Sequence, residues 1–194
     1  MTTIGRPREF DRDVALARAM QLFWRQGYEA TGIQQLVRHT GVSRQSLYNT
    51  FGDKRSLFKQ AIRHYRHHVQ QALLDCLVRP GSGLDAIRKT LDLVVDGLGG
   101  PRCSGCLVTH TAVELAGSDK EIRRLVRFWI RELRAAFRAA LDRAAAAGEI
   151  QPGRDTEALA SYLVSSVQGL VVMGKTSSRE TLHGIVASIL SALK

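Results

Sequence analysis

The chain has 194 residues and is 44% apolar, enough for a small reading unit beside one larger domain with a proper core. Its formal net charge of +10 is uneven: residues 1–80 carry 13 Lys/Arg against 6 Asp/Glu, and residues 81–194 carry 15 against 12, so the first part suits a phosphate-bearing partner, either a nucleic acid or an anionic membrane. No run of eighteen apolar residues and no apolar N-terminal signal core occurs, which argues against a membrane span or export; a soluble cytoplasmic protein with its three cysteines reduced is expected.

The chain opens with a short basic arm, in which Arg6 and Arg8 flank the stiffening Pro7 after Gly5. Arginines on such an arm are drawn to the narrow, strongly negative minor groove of A·T-rich DNA, although a solvated tail explains them equally well. Asp11 can cap a first helix that runs to about Gln26 and ends at Gly27, with Leu16, Ala19, Leu22 and Phe23 on its apolar face.

Residues 28–58, YEATGIQQLVRHTGVSRQSLYNTFGDKRSLF, read as two short helices joined by a tight turn. Thr31 with Gln34 has capping-box spacing, so a helix is expected from about Gly32, with Ile33, Leu36 and Val37 packed on the first helix. Gly41 can supply the positive φ of a sharp turn, Val42 can plug the corner, and Ser43 can cap the next helix over Arg44–Phe51. That helix buries Leu47 and Phe51 and offers Arg44, Gln45, Ser46, Tyr48 and Asn49 outward. Arginine suits the guanine edge, Gln and Asn the adenine edge, and Ser or Tyr hydroxyls reach phosphate oxygens. The pattern therefore decides for double-stranded DNA among the polyanions.

With its Gly-Tyr entrance, Thr31, the GVS turn, the LY pair and the F-G-D-K exit, the segment resembles the TetR family of transcriptional regulators. The resemblance covers about the first third of the chain in detail. It implies that Lys54 contacts a phosphate and that the following helix carries movement from a second domain to the reading heads; the caps Thr31 and Ser43 are also expected on the DNA-binding surface. Gln45 stands where many relatives have a small residue, so it is expected to set this chain's own base preference. The fold expected is all-α: a DNA-binding helix-turn-helix domain over residues 1–52, then a helical effector-binding and dimerisation domain over residues 53–194.

Asp53 starts a fourth helix that is expected to continue through His68 toward Cys76. His64 and His68 fall one turn apart, a pairing able to bind zinc, but no third ligand is assigned; solvated histidines are expected, and no metal or cofactor. After a break at Pro80–Gly83, helices are expected at about 84–98, 104–116, 119–147, 155–174 and 179–193. Ser118 with Glu121 and Ser177 with Glu180 have capping-box spacing, Gly148 can end the long helix, and Asp155 can begin the next. The long helix sets Val126, Trp129, Ile130, Leu133, Phe137 and Leu141 on one face, and Arg127, Arg131, Arg134 and Arg138 on another that reads as solvated.

The last two helices carry broad apolar faces: Leu159, Tyr162, Leu163, Val167, Leu170 and Val171, then Leu182, Ile185, Val186, Ile189 and Leu193. The resemblance implies that this pair docks on a two-fold mate, and a homodimer is what a palindromic operator demands; Leu159, Leu163, Leu170, Leu182, Ile185 and Ile189 are the expected interface. It also implies a pocket for an unknown small-molecule effector, for which Cys106, His110, Glu114, Trp129, Phe137, Gln168 and Met173 are the candidate lining.

Cys103 and Cys106 have C-x-x-C spacing beside Arg102, so a thiol-based redox or electrophile sensor is the alternative to an effector pocket. No Gly-rich phosphate loop, nucleophile elbow or H-E-x-x-H occurs, and an enzyme is not expected. A nonspecific chromosome-coating protein would explain the charge, but neither the reading helix nor the large second domain.

Overall fold

The computed structural model describes residues 10–98 and 105–194. Among them are ten α-helices and one π-helical segment, with no strand. Helices α1 (Arg12–Gln26), α2 (Ile33–Thr40), α3 (Arg44–Phe51) and α4 (Lys54–Tyr65) form one compact unit, Met1–Tyr65. The π-helical segment Arg66–Gln70 follows, then α5 (Gln71–Val78), α6 (Gly83–Leu98), α7 (Leu107–Leu115), α8 (Lys120–Ala146), α9 (Thr156–Met173) and α10 (Arg179–Leu193) in a second unit, Arg66–Lys194.

The sequence pattern places the domain boundary at 52/53, with α4 in the second domain. In the structure α4 packs on α1 and the first unit runs to Tyr65. The reason is aromatic: Phe23 meets Phe58 edge-on at 4.9 Å, Trp24 meets Tyr65 at 4.9 Å, and Tyr28 lies 4.8 Å from Phe58. Such pairs add about 0.5–1.5 kcal/mol each beyond the area they bury. Leu36, Leu47, Leu57 and Ile62 close the same core.

The helix expected to run unbroken from Asp53 toward Cys76 is interrupted at Arg66–Gln70, where the winding becomes π-helical. That changes the spacing on which the His64 and His68 pairing rested. His68 instead sets its ring edge-on to His67 at 5.0 Å, and no cluster of three metal-ligating side chains occurs among the described residues.

Three caps lie one residue later than sequence spacing placed them. Gly32, not Thr31, is the N-cap of α2, and Gln35 Oε1 accepts from Gly32 N at 2.8 Å. Asp119, not Ser118, caps α8 by accepting from Glu121 N and Ile122 N. Ser178, not Ser177, caps α10 by accepting from Thr181 N. Asp11, Ser43 and Asp155 cap α1, α3 and α9 as their positions indicate.

In the second unit α8 is the central element, packed against α5, α6, α7 and α9, while α10 packs on α6 and α9. Its core joins Ile87, Leu91 and Val95 of α6 with Leu133, Phe137 and Leu141 of α8, Leu163, Val167 and Leu170 of α9, and Leu182, Val186 and Ile189 of α10. At Gly83 the backbone of α6 lies directly against that of α8: a Cβ there would lie 2.0 Å from Ala140 O. Ile130, expected on the inward face of α8, is instead exposed. α9 is long and apolar enough to cross a membrane by composition alone, but its inward residues belong to this core.

Candidate nucleic-acid interface

The turn between α2 and α3 is built from backbone upward. Gly41 takes the left-handed conformation at φ 74° and donates to Val37 O at 3.0 Å, ending α2. Thr40 Oγ1 donates to Leu36 O at 2.7 Å and accepts from Val42 N at 3.2 Å, while the Val42 side chain is buried in the corner. Arg18 of α1 reaches over and donates to Thr40 O at 3.1 Å, satisfying a carbonyl that the helix end leaves open.

α3 is fixed on that turn by Ser43 Oγ, which accepts from Ser46 N at 3.2 Å. Leu47 and Phe51 are buried, and the opposite face is exposed at Arg44, Gln45 and Asn49. Gln45 Nε2 donates to Asn49 Oδ1 at 3.0 Å, so the two amides form one i,i+4 platform. The Arg44 guanidinium lies 5.4 Å from the Tyr48 ring centroid. The remaining groups of these pairs stay available for base edges, and a partly ordered side chain loses less entropy when it binds.

Lys54 opens α4 and sets its ammonium 4.3 Å from the Tyr28 centroid. Asp53 accepts from Ser56 N at 2.7 Å, and hydrogen bonds from the Ser56 backbone and hydroxyl hold its carboxyl below the ordinary carboxylate value, with smaller help from Lys59 and Arg55. From Gly32 to Gly52 the chain has no Asp or Glu, so α2, the turn and α3 carry no carboxylate to repel phosphate. This gap, the Arg18 clasp and the Gln45–Asn49 platform escaped sequence reading, although the gap and the i,i+4 spacing were visible there.

Thr31 needs correction as a DNA contact. Its side chain is fully buried and its hydroxyl donates to Gly27 O at 2.6 Å, tying the α1–α2 corner. Ser46 and Tyr48 are half-buried beside the exposed face, and Arg6 and Arg8 lie outside the described residues. A cleft of about 570 Å³ on the same unit is lined by Arg12, Ser56, Lys59, Gln60, Arg63 and His64 among others.

The residues singled out for an effector divide. Cys106, at the N-terminus of α7, packs on the core; His110 lies against Gly105, which also faces Val171 and Lys175; and Gln168 of α9 accepts a hydrogen bond from Thr109. These gather where α7 starts beside α9, and Glu114 is half-buried further along α7. Trp129 and Phe137 are closed into the interior of the unit, and Met173 is exposed at the end of α9. Cys103 lies outside the described residues.

The leucines expected at a dimer interface also turn inward. Leu163, Leu170, Leu182 and Ile189 are buried within the chain's own core, with Leu159 and Ile185 packed at its margin. What α9 presents outward is Tyr162, Ser165, Gly169 and Val172, and α10 presents Gly184, Ala187 and Ser191.

Comparison with known proteins agrees with this geometry. The profile of bacterial regulatory proteins of the tetR family matches residues 15–61, and that of the tetracyclin repressor-like C-terminal domain matches residues 83–188. The uncharacterized HTH-type transcriptional regulator YezE of Bacillus subtilis (strain 168) is 38% identical over 98% of this chain and 100% of its own. The HTH-type transcriptional repressor ComR of Escherichia coli (strain K12) is 30% identical over 96% of this chain and 90% of its own. Among solved structures, a cysteine mutant of the TetR family transcriptional regulator CifR, complexed with 26bp double-strand operator DNA, superposes with a TM-score of 0.88 at 31% identity, covering 98% of this chain and 100% of that one. A capped helix with an exposed amide and arginine face, on a unit of this fold and joined to a helical second unit, makes the chain a member of the TetR family of DNA-binding transcriptional regulators.

Proposed function

We propose that the protein acts as a homodimeric repressor that occupies a palindromic operator and leaves it when a small molecule binds the second unit. The observation that carries the reading is the exposed, carboxylate-free face of α3, with Arg44, Gln45 and Asn49 arranged outward on a capped helix. A relative named as a repressor and a structural neighbour complexed with operator DNA support the same reading.

Two copies meet, in this reading, through the outward faces of α9 and α10, where Ser165, Gly169, Gly184 and Ala187 let helices approach closely and Tyr162 and Val172 supply apolar area. Two-fold symmetry then matches half-sites one helical turn apart, or a multiple of it. The effector site is assigned to the region of Cys106, His110 and Gln168, where polar groups meet the apolar interior. Release requires the ligand to prefer the non-binding state by about 1–3 kcal/mol.

Sedimentation of the protein with a palindromic fragment recovered from genomic DNA tests the assembly. Two protomers per palindrome are expected, and Val172→Glu should give monomers that bind it weakly. A single wild-type protomer bound with full affinity would refute the dimeric reading.

A further inference from the structure

The π-helical segment Arg66–Gln70 begins where the first compact unit ends at Tyr65. A π turn holds one residue more than the α-helix around it, and such turns are rare and concentrate at functional positions. Because the number of residues is fixed, rewinding the segment as α-helix changes its register by one residue, about 100° of helical twist.

The present register leaves polar groups unsatisfied. Gln70 Oε1 and Arg66 Nε are buried without hydrogen-bond partners among the described residues. A buried polar group without a partner is costly, so something else must hold this winding in place.

Arg66 supplies it. Its Nη2 donates to both carboxylate oxygens of Glu132, at 2.6 and 2.5 Å, and its guanidinium lies 5.1 Å from the Phe128 ring centroid. Phe128 and Glu132 stand i,i+4 on α8 and form one seat for the arginine. Both charged side chains are only about one-third exposed, 33% and 32%, so water screens them less than an open surface pair. At the far end of α5, Arg143 of the same α8 donates to Leu77 O at 2.7 Å and to Arg79 O at 3.4 Å. The stretch from Arg66 to Arg79 is therefore clasped to one helix at both ends, with the π turn at the end nearer α4.

We infer that Arg66, seated on Glu132 and Phe128, is a positioning residue: it holds the π-helical segment in this register and so keeps the reading head pre-organised for its operator. The inference rests on the operator-reading function proposed above. Loss of the pair frees the segment to exchange between windings, and the DNA-competent arrangement must then be selected from a broader set, which weakens specific binding.

The test uses the full chain and three variants, Arg66→Glu, Glu132→Arg and the charge-swapped double variant, with operator affinity and amide exchange across residues 66–71 as readouts. General electrostatics would make Arg66→Glu bind DNA more weakly and Glu132→Arg more tightly. The latch instead requires both single variants to lose about tenfold in operator affinity. Both should also exchange faster at 66–71, and the swapped pair should recover most of each loss. Single variants that bind the operator as wild type does, opposite changes in the two, or no recovery in the double variant would overturn the inference while the operator reading stands. If the wild-type protein prefers no DNA sequence, the operator reading fails and the positioning role with it. In that case unchanged exchange at 66–71 in the single variants would also remove the latch as a local structural device.

Discussion

Replacing Lys54 by Gln separates what this residue contributes to folding from what it contributes to DNA binding. Its ammonium lies 4.3 Å from the Tyr28 centroid, and the side chain is half-buried at the start of α4. A cation–π contact of this kind is worth about 0.5–1 kcal/mol, which for a small unit corresponds to a melting shift of about 4–8 °C at most. The effect on DNA is larger if Lys54 neutralises a phosphate. Each such contact contributes about 0.9 to the slope of log K against log salt, so a dimer losing two drops by about 1.8 in slope and about thirtyfold in affinity at 0.15 M salt. Tyr28→Leu keeps the charge but removes the ring that steadies it, and should cost a few-fold in affinity with the slope retained. Fluorescence anisotropy of a labelled operator over a salt series reads both quantities. A Lys54→Gln protein with the wild-type slope would refute the phosphate contact, whatever its stability.

Gly83→Ala places a Cβ 2.0 Å from Ala140 O and 2.7 Å from Ala144 N, both backbone atoms, so α6 must move off α8; urea unfolding should show a loss of about 3 kcal/mol or more. Gln45→Ala frees the Asn49 amide from its hydrogen bond and should change which bases are preferred while leaving the salt slope intact, as read by binding-site selection with each protein. Asp53 has a carboxyl held below its ordinary value by Ser56, so its cap stabilises the fold above the usual carboxylate range and is lost as pH falls through the depressed value. Asp53→Ala should therefore be less stable than wild type near neutral pH, and the two should converge in strong acid; a constant difference at every pH would contradict that assignment.

The helices were legible because their apolar period is strong and because Asp11, Ser43, Asp155 and the positive-φ Gly27, Gly41 and Gly148 punctuate them. The caps that slipped by one residue share a cause. Two candidates stand side by side in each, and pattern spacing cannot weigh a threonine that is buried against its own corner, or a serine next to a better-placed carboxylate. The inward turn of Leu163, Leu170, Leu182 and Ile189 was hidden for a different reason: an amphipathic pattern shows that a face will be covered, not whether the cover is the same chain. Size gave the missing signal, since the large residues close the core while Gly169, Gly184 and Ala187 stay outside. Nothing local announces the π turn at Arg66–Gln70, whose partner Glu132 is 66 residues away.

On the function proposed above, the outward face of α3 reads a particular base sequence. This is tested most directly by titrating the wild-type protein, at physiological salt, with a palindrome enriched from fragmented genomic DNA and with a shuffled duplex of the same composition. A preference of about a thousandfold or more for the palindrome is expected, abolished when Gln45 and Asn49 are both replaced by Ala. Equal affinity for the two duplexes, falling together with salt, would contradict it and leave a surface that binds phosphate without reading bases.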